Sequence, residues 1–144
     1  MKTIEGDEEL IKKLTENFVA AFNSGNVDAM MSNYVPDESF VIFDVVPRAE
    51  YCGAEVYRGY WLEMFSHFEG KPHLSIKDQG ITVGGDAGFG YSFQHVTGKS
   101  KQGDEVNRTV RVTNGYRKIG DNWLIALEHV SIPVDLKTGM AVFQ

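Results

Sequence analysis

The sequence has few of the features by which proteins bind metals, nucleotides or membranes. Its 144 residues include one cysteine, Cys52, and four histidines, and none of them forms a His-Xaa3-His or Cys-Xaa2-Cys pair. We therefore predict no metal site. There is no Gly-Xaa-Gly-Xaa-Xaa-Gly motif either, so we expect no nucleotide and no other cofactor. No uncharged apolar run approaches the ~18 residues of a membrane span, which predicts no membrane partner.

Basic residues are also scarce. There are 14 lysines and arginines against 20 acidic residues, giving a formal net charge of -6. Because phosphate neutralisation needs clustered basic side chains, we predict no nucleic-acid partner. A single cysteine cannot form an internal disulfide, which favours a reducing compartment. The acidic start of the chain, residues 1–9, lacks the apolar stretch of a secretory signal, so we expect a cytoplasmic protein.

The pattern that is present predicts one α+β domain over residues 1–144. Apolar residues at three-to-four spacing predict a helix before Gly25, a short helix after Asn26 and a third helix over residues 54–68. Alternating or β-branched runs predict strands over residues 39–46, 73–83, 87–98, 106–118 and 122–132. The links between the last four are too short for parallel crossovers, so the sheet should be largely antiparallel. Helices on one face of such a curved sheet leave a conical cavity.

Several stretches resemble a known family. They are residues 110–119, 123–125 and 128–135, together with Phe43-Asp44 followed by Pro47. In these the chain resembles the SnoaL-like branch of the nuclear-transport-factor-2-like superfamily, which has a cystatin-like fold and includes ketosteroid isomerases and polyketide cyclases. The resemblance implies a cone-shaped curved antiparallel sheet wrapped around about three N-terminal helices. It also implies a small-molecule cavity and homodimers that pair through their sheets.

Asp44 is the first candidate for catalysis. It interrupts an apolar strand and shares a face with Phe40 and Ile42, because alternate side chains of a strand point the same way. Apolar surroundings raise the pKa of a carboxyl group, which suits a general acid or base near neutral pH. The resemblance places the isomerase base on this same strand. The alternative is a solvated acid at the end of the strand.

A second set of candidates should line the cavity. In residues 89–95 aromatic side chains alternate with small or polar ones, a row that lines either a cavity or an ordinary core. Aromatic residues that repeat at helical spacing in the predicted helices also line either a cavity or an ordinary core. The predicted ligand-binding residues are Phe18, Phe22, Tyr57, Trp61, Tyr91, Phe93, His95 and Thr113.

The last two strands supply the remaining charged candidates. Arg111 is solvated if Val110 and Val112 face the helices, but it points into the cone if those valines face a dimer partner, and we favour the second arrangement. Adjacent residues of a strand face opposite ways, so Glu128 is predicted in the cavity and His129 outside it. The alternating set of Trp123, Ile125, Leu127 and His129 then forms the homodimer face, because apolar patches of that size are rarely left wet.

The sequence thus predicts a small-molecule-binding protein with Asp44, Arg111 and Glu128 as catalytic residues. The reaction would be a cofactor-free isomerisation or cyclisation that moves a proton on a small apolar carbonyl compound. A non-catalytic binding module for a small apolar or aromatic ligand, anionic if Arg111 anchors it, is nearly as well supported. A structural dimerisation module with a filled core is the third hypothesis.

Overall fold

The computed structural model describes residues 6–47 and 50–143. In these residues the helices are α1 (Asp7–Ser24), α2 (Val27–Met31) and α3 (Ala54–Ser66). The strands are β1 (Val41–Phe43), β2 (Tyr51–Cys52), β3 (His73–Gly84), β4 (Ala87–Lys99), β5 (Glu105–Ile119) and β6 (Asn122–Ser131). The helices therefore precede the four long strands, in the order that the sequence predicts.

Helix α1 fills the concave side of the sheet. Its first turn carries three acidic residues, which favour the positive end of the helix dipole. It ends at Gly25, whose φ of 69° is the left-handed conformation that glycine adopts most readily. Phe18 and Phe22 lie on its buried stripe. This stripe packs against the sheet and against α3, which places both phenylalanines where the cone begins to open.

The strands form one curled sheet in the order β2-β1-β6-β5-β4-β3. All neighbours are antiparallel except β1 and β6, which run parallel. The predicted α+β class and the helix-filled, largely antiparallel cone are confirmed. Strand β1 is shorter than the predicted 39–46 strand and ends just before Asp44, and β2 lies in a segment predicted as loop.

A β-bulge in β6 turns two residues of the predicted dimer face, Trp123 and Ile125, toward the core. Gly115 pairs with Leu127 and Tyr116 pairs with Ile125, so Ala126 is an extra residue without a partner in β5. An extra residue changes which side chains face the core. Trp123 and Ile125 therefore lie in the core, at 3% and 5% exposure. Their predicted place on the dimer face is wrong, whereas Leu127 lies beyond the bulge and is half-buried.

Candidate functional site

A cavity of about 310 Å³ opens between the helices and the inner face of the sheet. It is walled mainly by apolar and aromatic side chains, with a few polar groups among them, as is usual for small-molecule sites. The predicted residues found in its wall are Phe18, Phe22, Asp44, Tyr57, Trp61 and Glu128. Other lining residues include Tyr60, Phe68, Gln94, Val96, Val106, Arg108, Val110 and Val130.

Asp44 lies in the cavity wall, as the sequence predicts, but it follows β1 directly and is not part of the strand. Its Oδ1 accepts a hydrogen bond of 2.6 Å from the backbone N–H of Val45, and its carboxylate also accepts one from the Tyr60 hydroxyl. Burial raises the pKa of Asp44 above its ordinary value, and the two hydrogen bonds only partly oppose this. A half-buried carboxylate of this kind can accept and return a proton near neutral pH.

Glu128 also faces the cavity and is 5% exposed. Its carboxylate accepts hydrogen bonds from the hydroxyls of Tyr34, at 3.0 Å, and Tyr57. The side-chain amide of Asn114 donates a third at 3.1 Å. Burial raises the pKa of Glu128, the three donors lower it, and the negative charge of Asp44 raises it further, with a net upward shift. The charge of Asp44 thus couples the two carboxyl groups of one cavity.

Aromatic residues of α3 form one wall of the cavity. Tyr57 and Tyr60 stack with ring centroids 5.7 Å apart, and Trp61 packs edge-on against Phe22 of α1, with centroids at 5.9 Å. Burial raises the pKa of both tyrosines, so both hydroxyls stay protonated and remain donors. Trp61 Nε1 is buried and has no hydrogen-bond partner in the described part of the chain. A buried N–H without an acceptor is costly, which makes this indole a candidate donor to a ligand oxygen.

Arg111 and Thr113 do not lie in the cavity. Both are exposed on the outer face of β5, and Arg111 Nε donates a hydrogen bond of 3.0 Å to Ser131 Oγ. Val110 and Val112 face inward, with Val110 in the cavity wall and Val112 in the core. The predicted arrangement, with Arg111 inside the cone, is therefore wrong.

The aromatic row of β4 likewise faces outward. Tyr91 is 58% exposed, Phe93 is exposed, and His95 is half-buried beside Asn107 at 2.6 Å. The inner row of this strand is small because the inside is crowded, and a Cβ at Gly90 would lie only 2.9 Å from the hydroxyl of Tyr116. The prediction of Tyr91, Phe93 and His95 as lining residues of the main cavity is wrong.

Four polar residues of the site escape the sequence argument. Tyr60 follows Tyr57 by three positions on the same helical face, so helical spacing could have indicated it. Arg108 and Asn114 share the inner face of β5 with Val110 and Val112, and a correct choice of face would have found both. Tyr34 lies outside the helices and strands, at a single bridge to Ile125, and no sequence pattern places it beside Glu128.

Neither a metal-binding cluster nor a membrane-spanning helix is found in the described part of the chain. No group of three or more His, Cys, Asp or Glu side chains in residues 6–47 and 50–143 could hold a metal ion. No helix in the same ranges is long and apolar enough to cross a membrane. The polar groups in the cavity wall are carboxyl, phenol, indole, amide and guanidinium groups.

Comparison with known proteins identifies the family. The model of the SnoaL-like domain matches residues 11–135, nearly the whole chain. The chain belongs to the SnoaL-like family. A comparison with curated proteins finds no significant match. The SnoaL-like assignment confirms the resemblance of residues 110–119 and 128–135, and this fold supports a small-molecule-binding domain.

Solved structures agree with the SnoaL-like fold. An NTF2-like protein of unknown function from Pseudomonas putida KT2440 is 22% identical, with 95% of this chain and 94% of that chain covered and a TM-score of 0.83. An NTF2-like superfamily protein from Salmonella enterica serovar Typhimurium LT2 is 18% identical, with coverages of 94% and 96% and a TM-score of 0.80. A candidate dehydratase of the NTF2-like family from Streptomyces avermitilis is 18% identical, with coverages of 87% and 95% and a TM-score of 0.71. At these identities the similarity establishes the fold alone.

Proposed function

We propose that this SnoaL-like protein catalyses cofactor-free proton transfer on a small, largely apolar carbonyl compound, as an isomerase or a cyclase does. The observation that carries the proposal is Asp44, a carboxylate with a raised pKa in the wall of an apolar cavity. An upward shift brings the pKa of a carboxyl group closer to neutral pH, the direction that favours general acid–base catalysis there. Tyr60 holds the carboxylate in place through its hydrogen bond.

The proposed step begins with deprotonation of a carbon next to the substrate carbonyl. The proton moves to an oxygen of Asp44, and the electrons of the broken C–H bond pass into an enolate. The enolate oxygen needs a hydrogen-bond donor while it carries charge. Tyr57 and Tyr60 already donate to Glu128 and Asp44, so the other donors among the described lining residues are the Gln94 amide, the Arg108 guanidinium and the Trp61 N–H. Of these, the Trp61 N–H is buried without a partner, and we assign it to this oxygen. In a substrate with a β,γ-double bond the electrons spread over a dienolate, and return of the proton to the γ-carbon gives the conjugated isomer.

Deuterium exchange tests this step without knowledge of the natural substrate. A bicyclic aromatic ketone such as 2-tetralone is incubated with the protein in D₂O, and loss of its α-proton signals is followed by NMR. We expect the protein to accelerate exchange and Asp44→Asn to lose at least ~100-fold of the acceleration, the lower bound for a general base. The matched control is Asp121→Asn, in the exposed turn between β5 and β6. An unchanged rate in Asp44→Asn would remove Asp44 as the base.

A non-catalytic binding module is the second candidate function. The cavity wall is predominantly apolar, with aromatic side chains from α1 and α3, and such a wall binds a flat ligand whether or not chemistry follows. The same ketone separates the two functions. Saturable binding without any acceleration of exchange would favour the binding module, whereas exchange that depends on Asp44 would favour the enzyme.

We also propose that the protein forms a homodimer through the outer face of its sheet. Because Trp123 and Ile125 lie in the core, this outer face consists of other side chains, which point away from the helices. They are Phe43, Phe89, Tyr91, Phe93, Leu127 and His129. An apolar patch of this kind on an exposed sheet commonly marks an interaction surface.

A further inference from the structure

Arg108 is the one lysine or arginine among the cavity-lining residues that the structure describes. It projects from the inner face of β5, opposite Val96 of β4. The β5–β6 ladder ends at the pair of Arg111 and Ser131, so Arg108 lies three residues beyond the end of that ladder. Arg108 is also exposed. This position places the guanidinium at the mouth of the cavity.

The hydrogen-bonding edge of Arg108 is available. No carboxylate or carbonyl within residues 6–47 and 50–143 pairs with it, and its contact there is with an aromatic ring. The guanidinium carbon lies 4.9 Å from the centroid of the Phe143 ring. A guanidinium that stacks on an aromatic face keeps its N–H groups in its own plane, free for bidentate hydrogen bonds.

The two ends of the cavity differ in charge and are far apart. Arg108 is six residues from Asn114, whose strand partner is Glu128. At ~3.3 Å a residue this corresponds to about 20 Å along the strand, shortened by the reach of the side chains. Val96, Val106 and Val110 line the cavity near the mouth. A ligand that binds Arg108 and reaches toward the inner end of the cavity therefore needs an elongated apolar body.

We infer that the cavity selects elongated monocarboxylic acids, whose carboxylate binds Arg108 at the mouth and whose apolar body points toward Asp44 and Trp61. One guanidinium matches one carboxylate, and a more highly charged ligand would be repelled by the two acidic side chains inside. The inference rests on the proposed function, because it names the class of ligand taken by the same cavity.

The test compares a matched pair of probes. 2-Naphthylacetic acid is ionised at pH 7.5 and 2-naphthylacetamide is neutral, while their apolar bodies are the same. Binding of each is measured by isothermal titration calorimetry. We expect the acid to bind about 10-fold more tightly than the amide, Arg108→Gln to abolish this preference, and Arg108→Lys to restore part of it. The matched control, Arg111→Gln, changes an arginine on the outer face and should keep the full preference.

The outcomes separate this inference from the proposed function. Equal affinities for acid and amide in the unmodified protein would overturn the role of Arg108, as would a preference that survives in Arg108→Gln or an absence of binding by either probe. The exchange experiment uses a neutral ketone and depends on Asp44, so it can fail while the acid preference stands. Conversely, loss of the preference leaves Asp44-dependent exchange intact.

Discussion

The hydroxyl of Tyr34 lies 3.0 Å from Oε1 of Glu128, although 94 positions separate the two residues in sequence. This contact joins the segment after α2 to the last long strand, and both partners are buried. Tyr57 and Asn114 donate to the same carboxylate from α3 and β5. One buried acid thus connects four separate parts of the chain, and the connection holds one side of the cavity together.

Loss of this carboxylate should destabilise the protein strongly. In Glu128→Ala three buried donors lose their acceptor, and we expect the free energy of unfolding to fall by about 3–5 kcal/mol. Glu128→Gln keeps one acceptor oxygen and should lose only about 1–2 kcal/mol. Urea unfolding at pH 7.5, followed by circular dichroism, measures both. An alanine variant within about 0.5 kcal/mol of the unmodified protein, the usual effect of a surface substitution, would contradict this account.

Asp44 should make stability depend on pH. Burial raises its pKa in the folded protein, so the folded state binds the proton more tightly than the unfolded chain does. The stability that comes from this proton is present below the unfolded pKa of about 3.9 and is lost as the pH rises through the higher folded pKa. Asp44→Asn stays neutral and avoids this loss. The free energy of unfolding of Asp44→Asn, minus that of the unmodified protein, should therefore increase between pH 4 and pH 7.5.

Urea unfolding at the two pH values provides the measurement for Asp44. Asp121→Asn is the control, because Asp121 is exposed in the turn after β5, and its difference from the unmodified protein should be the same at both. A variant that instead loses stability relative to the unmodified protein as the pH rises would show that the folded pKa is lowered.

Trp61 should contribute to ligand affinity through its N–H. If the unpartnered Nε1–H meets a ligand oxygen, Trp61→Phe should weaken binding of 2-tetralone by about 5–10-fold, the value of one ordinary hydrogen bond. Binding of tetralin, the hydrocarbon that lacks the oxygen, should change much less. Titration calorimetry of both compounds against both proteins isolates the hydrogen bond. Equal losses for ketone and hydrocarbon would reduce Trp61 to a packing residue.

The sequence predicts which side chains of a strand share a face more securely than it predicts which face is inside. The aromatic row of β4 and the Arg111 row of β5 are correctly grouped, yet both face outward. The choice depends on crowding at Gly90, where Tyr116 occupies the space that a side chain would need. Such crowding comes from a neighbouring strand and leaves no trace in the alternation of β4 itself.

Asp44 and the helical aromatics could be predicted because their evidence is local. Asp44 interrupts an apolar run, and Tyr57 and Trp61 repeat at helical spacing. The Tyr34–Glu128 contact depends instead on the pairing of segments far apart in the chain. The bulge at Ala126 is a property of the β5–β6 ladder, since β6 alone reads as a regular strand. Long-range register is thus the main information that the sequence pattern lacks.

Deletion of Ala126 tests the importance of the bulge. Without the extra residue, the β6 segment before it would present its opposite face, and Trp123 and Ile125 would leave the core. We expect the deletion variant to be insoluble or unfolded, whereas Ala126→Ser, which keeps the residue count, should fold. Circular dichroism and tryptophan emission measure the outcome. A soluble deletion variant with unchanged tryptophan emission would mean that the bulge can be absorbed elsewhere in the sheet.

The proposed dimer predicts a change of mass when charge is placed on the outer face. Tyr91 and Phe93 point outward side by side along β4, so Tyr91→Lys with Phe93→Lys would put two like charges into a buried interface. We expect the unmodified protein to sediment as a dimer at ~10 µM and the double variant as a monomer that keeps its circular dichroism spectrum. Leu136→Lys, at the 95% exposed position of the C-terminal segment, is the control and should remain dimeric. A monomeric unmodified protein would remove the sheet face as an interface, because an apolar patch of this size would then be tolerated in water.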